Sequence, residues 1–332
     1  FPLMMLLIGI SNLIVLFIGG EQYINGEIEI GVLAEFIIYV NMLTWPVTVV
    51  GWLTSIVQQA EASQKRINAF LKEIPEIQDG NKSYKIINYD IEFKNATLNY
   101  PDTNIKAIDG ISFKIKQGKI LGILGPVGSG KSTIFELITR LYDPTKGKVL
   151  IGGNMIEKYT LKELRKNIGY VPQNPFLFSD SIINNIKFGN NNATEKEIIK
   201  SAKVASINEE IENLENRYET ILGERGITLS GGQIQRISLA RALINNPNII
   251  LLDDCLSSVD TNTEEKILKN LNSFCKNKTT LIISHRISSI KSADQIIVLN
   301  NGKIIENGTH NSLMKTSIYY KNLFLKQRDE NN

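Results

Sequence analysis

Gly125-Pro126-Val127-Gly128-Ser129-Gly130-Lys131-Ser132 fits the pattern G-x-x-x-x-G-K-[ST] and directly follows the apolar run 120–124. Only a chain short of β-carbons turns tightly enough for successive backbone N–H groups to face one phosphate. A helix opening near Gly130 would add the positive end of its dipole. In that arrangement Lys131 contacts the β- and γ-phosphates and the Ser132 hydroxyl binds Mg2+. Such a loop needs a second acid for the metal, and the apolar run Ile249-Ile250-Leu251-Leu252 ends in Asp253. The alternative for Asp253 is a carboxylate that only caps the next helix. Together the two motifs read as a P-loop nucleotidase and no more.

Between them stands Leu229-Ser230-Gly231-Gly232-Gln233, followed by a helical stretch over 235–243. With this segment the chain resembles the nucleotide-binding half of an ATP-binding cassette transporter. The other motifs of that family fall in order: Tyr100 as the aromatic that stacks on adenine, Gln173 in Val171-Pro172-Gln173 as the Q-loop, Ser257-Ser258-Val259-Asp260 as the D-loop, and His285 as the switch histidine. The resemblance implies that Tyr100, Gly125, Pro126, Val127, Gly128, Ser129, Gly130, Lys131, Ser132 and Thr133 hold ATP. It implies that Ser132, Gln173 and Asp253 hold Mg2+, and that Asp254, His285 and Gln173 serve the hydrolysis. Residues 229–233, together with Ser257 and Asp260, would face the nucleotide of the opposite subunit, so that two cassettes close around two ATP molecules.

Each assignment has a physical reading beside it. Ser230, Gly231 and Gly232 begin a helix, so their N–H groups and the Ser230 hydroxyl form a second anion site. Tyr100 alternatively closes a strand, Gln173 is alternatively a surface loop residue, and His285 is alternatively a local helix cap. His310 reads as a surface residue. The departure from the family lies at position 254, where Glu usually follows the metal-binding Asp as the base that polarises water. Asp254 is one methylene shorter, and a general base must come within about 3 Å of its proton. A misplacement of that size costs on the order of a hundredfold in rate. The alternative is that a local shift restores its reach. Asp at this position also resembles one subunit of heterodimeric exporters, in which one of the two ATP sites is weak.

These residues need a scaffold, and its elements are legible downstream of residue 90. Short β-rich runs over 91–98, 111–115, 120–124, 249–252, 280–283 and 295–299 alternate with helical stretches. That is an α/β pattern with a mostly parallel core sheet, an antiparallel β flap at its start and, by the resemblance, a helical subdomain. Upstream, residues 1–20 and 36–57 carry no charge, and each run is long enough as a helix to cross a bilayer. A signal peptide is the alternative for the first run, but no basic segment precedes it and no small-residue cleavage pattern follows. Pro46 is expected to kink the second span. Glu35 reads as an interfacial residue, or alternatively as an intramembrane carboxylate. The second helix should continue out of the membrane before Pro75. The expected division is a partial transmembrane domain over 1–75, a linker over 76–89 with Asp79-Gly80-Asn81 as its turn, and a nucleotide-binding domain over 90–332.

Composition supports this division. The chain has 332 residues, 42% of them hydrophobic and 21% charged, which is that of folded protein. All 37 basic residues lie beyond position 60, and only Glu21, Glu27, Glu29 and Glu35 among the 34 acids lie before it. Lys65, Arg66 and Lys72 after the second span, against an acidic connector, place the rest of the chain in the cytoplasm of a plasma-membrane protein. A net charge of +3 with no block of like charge gives no footprint for nucleic acid. Two cysteines exclude a disulfide-stapled scaffold and a cysteine metal site.

Phe1 is no initiator residue, and an apolar run is already under way there. The two spans resemble the last two of six helices in an exporter-type half-transporter. The expectation is therefore the C-terminal part of such a protein, working with a second half-transporter subunit, a lipid membrane and a cargo the sequence does not name. A heterodimer is favoured, and a homodimeric lipid or peptide exporter is the alternative. A soluble DNA-repair ATPase with the same cassette is disfavoured, because Asp253 follows Lys131 by only 122 positions, which leaves no room for a long coiled coil.

Overall fold

The computed structural model describes residues 2–79, 85–223 and 229–329. Gly80 and Asn81 of the expected turn lie outside the described residues. The chain divides into two compact units, Phe1–Glu76 and Ile77–Asn332.

The first unit is a pair of packed helices, Pro2–Ile24 and Ile30–Lys72, both long and apolar enough to cross a membrane. Several hydroxyl and amide side chains of the second helix are satisfied within it, as a helix in hydrocarbon requires, whereas Asn12 Oδ1 on the first is buried without a partner. Thr44, Thr48 and Thr54 donate to the carbonyls of Val40, Thr44 and Val50 at 3.1, 2.8 and 2.9 Å. Asn41 does the same to Ile37, and Glu35 is bonded by the Tyr39 hydroxyl one turn on. The second helix runs unbroken through Pro46 and ends at Lys72. Large apolar side chains such as Phe17, Trp45 and Trp52 stay exposed along both helices. An apolar surface of this extent calls for lipid or further protein around it.

Among the described residues the second unit holds ten strands: β1 (Ile91–Asn99), β2 (Lys106–Ile115), β3 (Ile120–Leu124), β4 (Lys146–Ile151), β5 (Asn154–Met155), β6 (Ile168–Val171), β7 (Ile249–Asp253), β8 (Thr279–Ile283), β9 (Gln295–Asn300) and β10 (Lys303–Gly308). β2-β1-β4-β5 form an antiparallel sheet. The larger sheet runs β10-β9-β3-β8-β7-β6, parallel except for β10 at its edge. β7 and β8 are buried along their whole length, as strands covered on both faces must be. Phe93, Phe113, Ile123 and Phe135 fill the core between the two sheets. A second core joins the other face of the parallel sheet to the helices Ile182–Lys187, Glu195–Val204 and Gly231–Leu243, which form the helical part of the domain. Ile86, in the stretch expected to be linker, is buried in the first of these cores. Both cysteines are free and buried, and burial pushes the Cys255 thiol up to about 12.

Candidate active site

Parallel strands bring their carboxyl ends to one edge of a sheet, and ligands of such sheets bind in the crevice beyond that edge. Here β3 leads into the phosphate loop, β7 into Asp253 and Asp254, β8 into His285, and β6 into Gln173. The register makes these residues neighbours, because Ile283 is level with both Ile123 and Asp253. They meet in a cavity of about 460 Å3.

Val127, Gly128, Gly130, Lys131, Ser132 and Thr133 line this cavity, whereas Gly125, Pro126 and Ser129 shape the loop behind it. Gly130 has φ +93°, and a β-carbon there would lie 2.3 Å from the carbonyl oxygen of Ala107. Only glycine fits both the left-handed backbone and that approach, and the helix Lys131–Ile138 starts from it. Lys131 is only 6% exposed, and its Nζ donates to the Gly125 and Pro126 carbonyls at 2.8 and 2.7 Å. Burial pushes the ammonium's pKa down, and the charges of Asp253 and Asp254 pull it back. Burial likewise pushes the Asp253 carboxyl up, and a hydrogen bond from Ser132 opposes the shift. Ser132 and Asp253 are thus adjacent hard oxygen donors at the floor of the cavity, with the Gln173 amide on its wall. This donor set fits Mg2+, which takes one or two protein oxygens and leaves its other positions to phosphate and water.

Asp254 has φ +45°, in the left-handed region that Asp tolerates better than most residues. Its N–H donates to the Ile283 carbonyl at 2.9 Å, and its Oδ1 accepts from the His285 N–H at 3.4 Å. Tyr100 lies just past β1 and borders the cavity. Its hydroxyl donates to Glu136 at 2.6 Å and pairs with Thr133 at 2.9 Å, while its ring stands edge-on to Tyr142. Burial, with the Glu136 bond, pushes that phenol up to about 12.

Residues 229–233 do not line this cavity. Ser230 caps the helix Gly231–Leu243: its Oγ accepts from the Gln233 N–H at 3.3 Å, and its own N–H donates to Gln233 Oε1 at 2.9 Å. Ser230 and Gly231 are exposed, Leu229 and Gln233 half-buried, and Gly232 buried. A β-carbon on Gly232 would come within 2.9 Å of the Ser258 carbonyl, so this helix start packs tightly on the segment 257–260. Arg236, on the next turn, is paired with Glu210 and donates to the Ser206 carbonyl at 2.9 Å, which ties the helix to its neighbours. Ser257 bonds the Asp254 carbonyl at 2.9 Å, whereas Asp260 caps the helix Thr261–Phe274 through the Thr263 N–H at 3.0 Å.

Two residues of this neighbourhood carry no motif of their own. Arg286 joins Glu264 at 2.8 Å and the Ser257 carbonyl at 3.2 Å, and Gln327 bonds the loop of His285. Adjacency to His285 was the only sequence signal for the first, and there was none for the second. His310, expected at the surface, is half-buried: its Nδ1 meets the Tyr320 hydroxyl at 2.9 Å, and its ring lies against Phe324.

Residues 108–257 match a family described as ABC transporter. These residues are an ABC transporter domain. Over 332 residues it is 41% identical to the ABC transporter ATP-binding protein YknU of Bacillus subtilis, covering 99% of this chain and 57% of the relative. It is 38% identical over 329 residues to the multidrug resistance-like ATP-binding protein MdlA of Escherichia coli, covering 99% and 56%. Among solved structures, a bacterial Atm1-family ABC exporter with ATP bound superposes with a TM-score of 0.85 at 32% identity, over 98% of this chain and 57% of that one. The chain thus spans little more than half the length of these ABC proteins.

Proposed function

We propose that this chain is part of one subunit of a dimeric membrane exporter, in which ATP binding closes two cassettes and hydrolysis resets the transmembrane helices. The observation that carries the reading is a separation within the domain. Lys131, Ser132, Asp253 and His285 line one cavity, while the capped and exposed helix start at Ser230 and Gly231 lies outside it. A second anion site turned away from the first has its use on a partner's nucleotide.

In this reading Lys131 neutralises the β/γ-phosphates, and Ser132, Gln173 and Asp253 hold Mg2+, which would spread the charge of the transferring phosphoryl group. The imidazole of His285 meets the γ-phosphate. Asp254 is short for a base, and its Oδ1 is already engaged by the His285 N–H, which supports a site that holds ATP better than it hydrolyses it. A heterodimer with a subunit carrying Glu at this position follows, with the symmetric homodimer as the alternative. The exposed apolar surface of the first unit's helices belongs in the bilayer, and the basic residues beyond them put the cassette in the cytoplasm.

Oxidative crosslinking tests the arrangement. In the full-length protein with its partner, Ser230→Cys should crosslink to a cysteine placed in the partner's phosphate loop, and ATP should increase the yield. A yield indifferent to nucleotide would remove the sandwich.

Tyr100 gives a second test. Tyr100→Ala should weaken ATP binding at this cassette severalfold and Tyr100→Phe much less, because stacking needs the ring, and the edge contact with Tyr142 survives in Phe. Equal losses would assign the effect to the hydroxyl bonds with Glu136 and Thr133.

A further inference from the structure

The last helix, Ile318–Asp329, brings one side chain onto the loop that carries His285. Gln327 Nε2 donates to the His285 carbonyl at 2.6 Å, and Gln327 Oε1 accepts from the Ile287 N–H at 2.8 Å. Ile287 opens the short helix Ile287–Ile290, whose N-cap, Arg286, offers no side-chain cap. The first N–H groups of a helix have no partner inside it, so Gln327 does the work of a cap from 40 residues away. The Arg286 side chain is turned instead to Glu264 and the carbonyl of Ser257. A second cavity, of about 610 Å3, lies between this loop and the last helix, and His285 borders both it and the nucleotide cavity. With open volume on either side of the residue, directional bonds to its backbone fix the point from which the imidazole projects.

We propose that Gln327 is a positioning residue for His285: it holds the His285 backbone so that the imidazole reaches the terminal phosphate, and it thereby makes docking of the C-terminal helix a condition for telling ATP from ADP. The proposal rests on reading the cavity as an ATP site with His285 at the γ-phosphate. Chemically the position needs a donor and an acceptor on one side chain of this length. A carboxylate keeps the acceptor and sets a negative charge against the His285 carbonyl, and a thioether keeps the length without the donor.

The test uses the full-length protein with its partner, photolabelled with 8-azido-ATP in competition with ATP or ADP, reading the label on this chain alone. Gln327→Met should lower the preference for ATP over ADP by roughly tenfold, the size of one hydrogen bond to a charged group, with ADP competition unchanged. Gln327→Glu should do the same. His285→Ala should lose as much, and the double variant His285→Ala with Gln327→Met should lose no more, since both remove one interaction. An unchanged preference in Gln327→Met, equal weakening of ATP and ADP, or additive losses in the double variant would overturn the proposal. Failure of the underlying site is separable: labelling that survives Lys131→Ala strikes the ATP-site reading, whatever Gln327 does.

Discussion

Lys131→Ala is expected to cut ATP affinity at this chain's own cassette by at least about a hundredfold, the usual scale for stripping a buried charge of its partner. The reason lies in the company the ammonium keeps. It is nearly buried, its charge opposes those of Asp253 and Asp254, and the loop carbonyls of Gly125 and Pro126 point at it. Without it, incoming phosphates meet two buried carboxylates and two carbonyl oxygens with no ammonium between them. Arginine is no substitute, because its planar fork does not fit where a compact ammonium reaches two adjacent carbonyls. Photolabelling of this chain in the assembled transporter, with Mg2+ present, measures the loss. Affinity within a few-fold of the parent would remove the phosphate-loop assignment.

The second large effect separates two models of the dimer. If this chain lends its helix start to the partner's nucleotide, Ser230→Ala should nearly stop steady-state ATP turnover in the assembled heterodimer. The hydroxyl that caps Gln233 accepts with its oxygen, which leaves its hydrogen to donate across the interface. Asp254→Asn should cost far less, because the site it alters contributes little hydrolysis. A homodimer carries either substitution twice, and both should then be severe. Comparable collapse in the two variants would make Asp254 a working base and end the weak-site reading, although the transporter assignment would stand.

Much of the site was legible because its chemistry is local. The phosphate loop is a contiguous run, and Asp253 ends an apolar strand, so neither needs tertiary knowledge to find. The strands β7 and β8 were equally plain, being uninterrupted β-branched and leucine runs. β4, β6 and β10 were not singled out, for physical reasons. β4 opens on Lys146-Gly147-Lys148, β6 has four residues and one glycine, and β10 is an edge strand with no buried position and no clean apolar alternation, Ile305 being exposed and Glu306 half-buried. What sequence cannot supply is which distant side chain completes a loop. The grip of Gln327 on the His285 backbone and the anchoring of Tyr100 by Glu136 and Thr133 are separated in sequence and joined only by folding. Asp260 shows the converse, since a residue picked out by motif also performs an ordinary helix cap.

The two sequestered cysteines give the domain a silent chemical background. The thiolate is the species that alkylating reagents attack, and burial that pushes the Cys255 thiol up to about 12 keeps it protonated across the neutral range. Cys275 closes the helix Thr261–Phe274 and is shielded in the same way. Maleimide or disulfide reagents therefore reach the native sulfurs only when the fold opens around them, and the rate of their modification becomes a clock for that opening. Over so quiet a baseline, a fluorophore or spin label attached through a single cysteine introduced on the exposed surface reports from that position alone, with the natural thiols left in place.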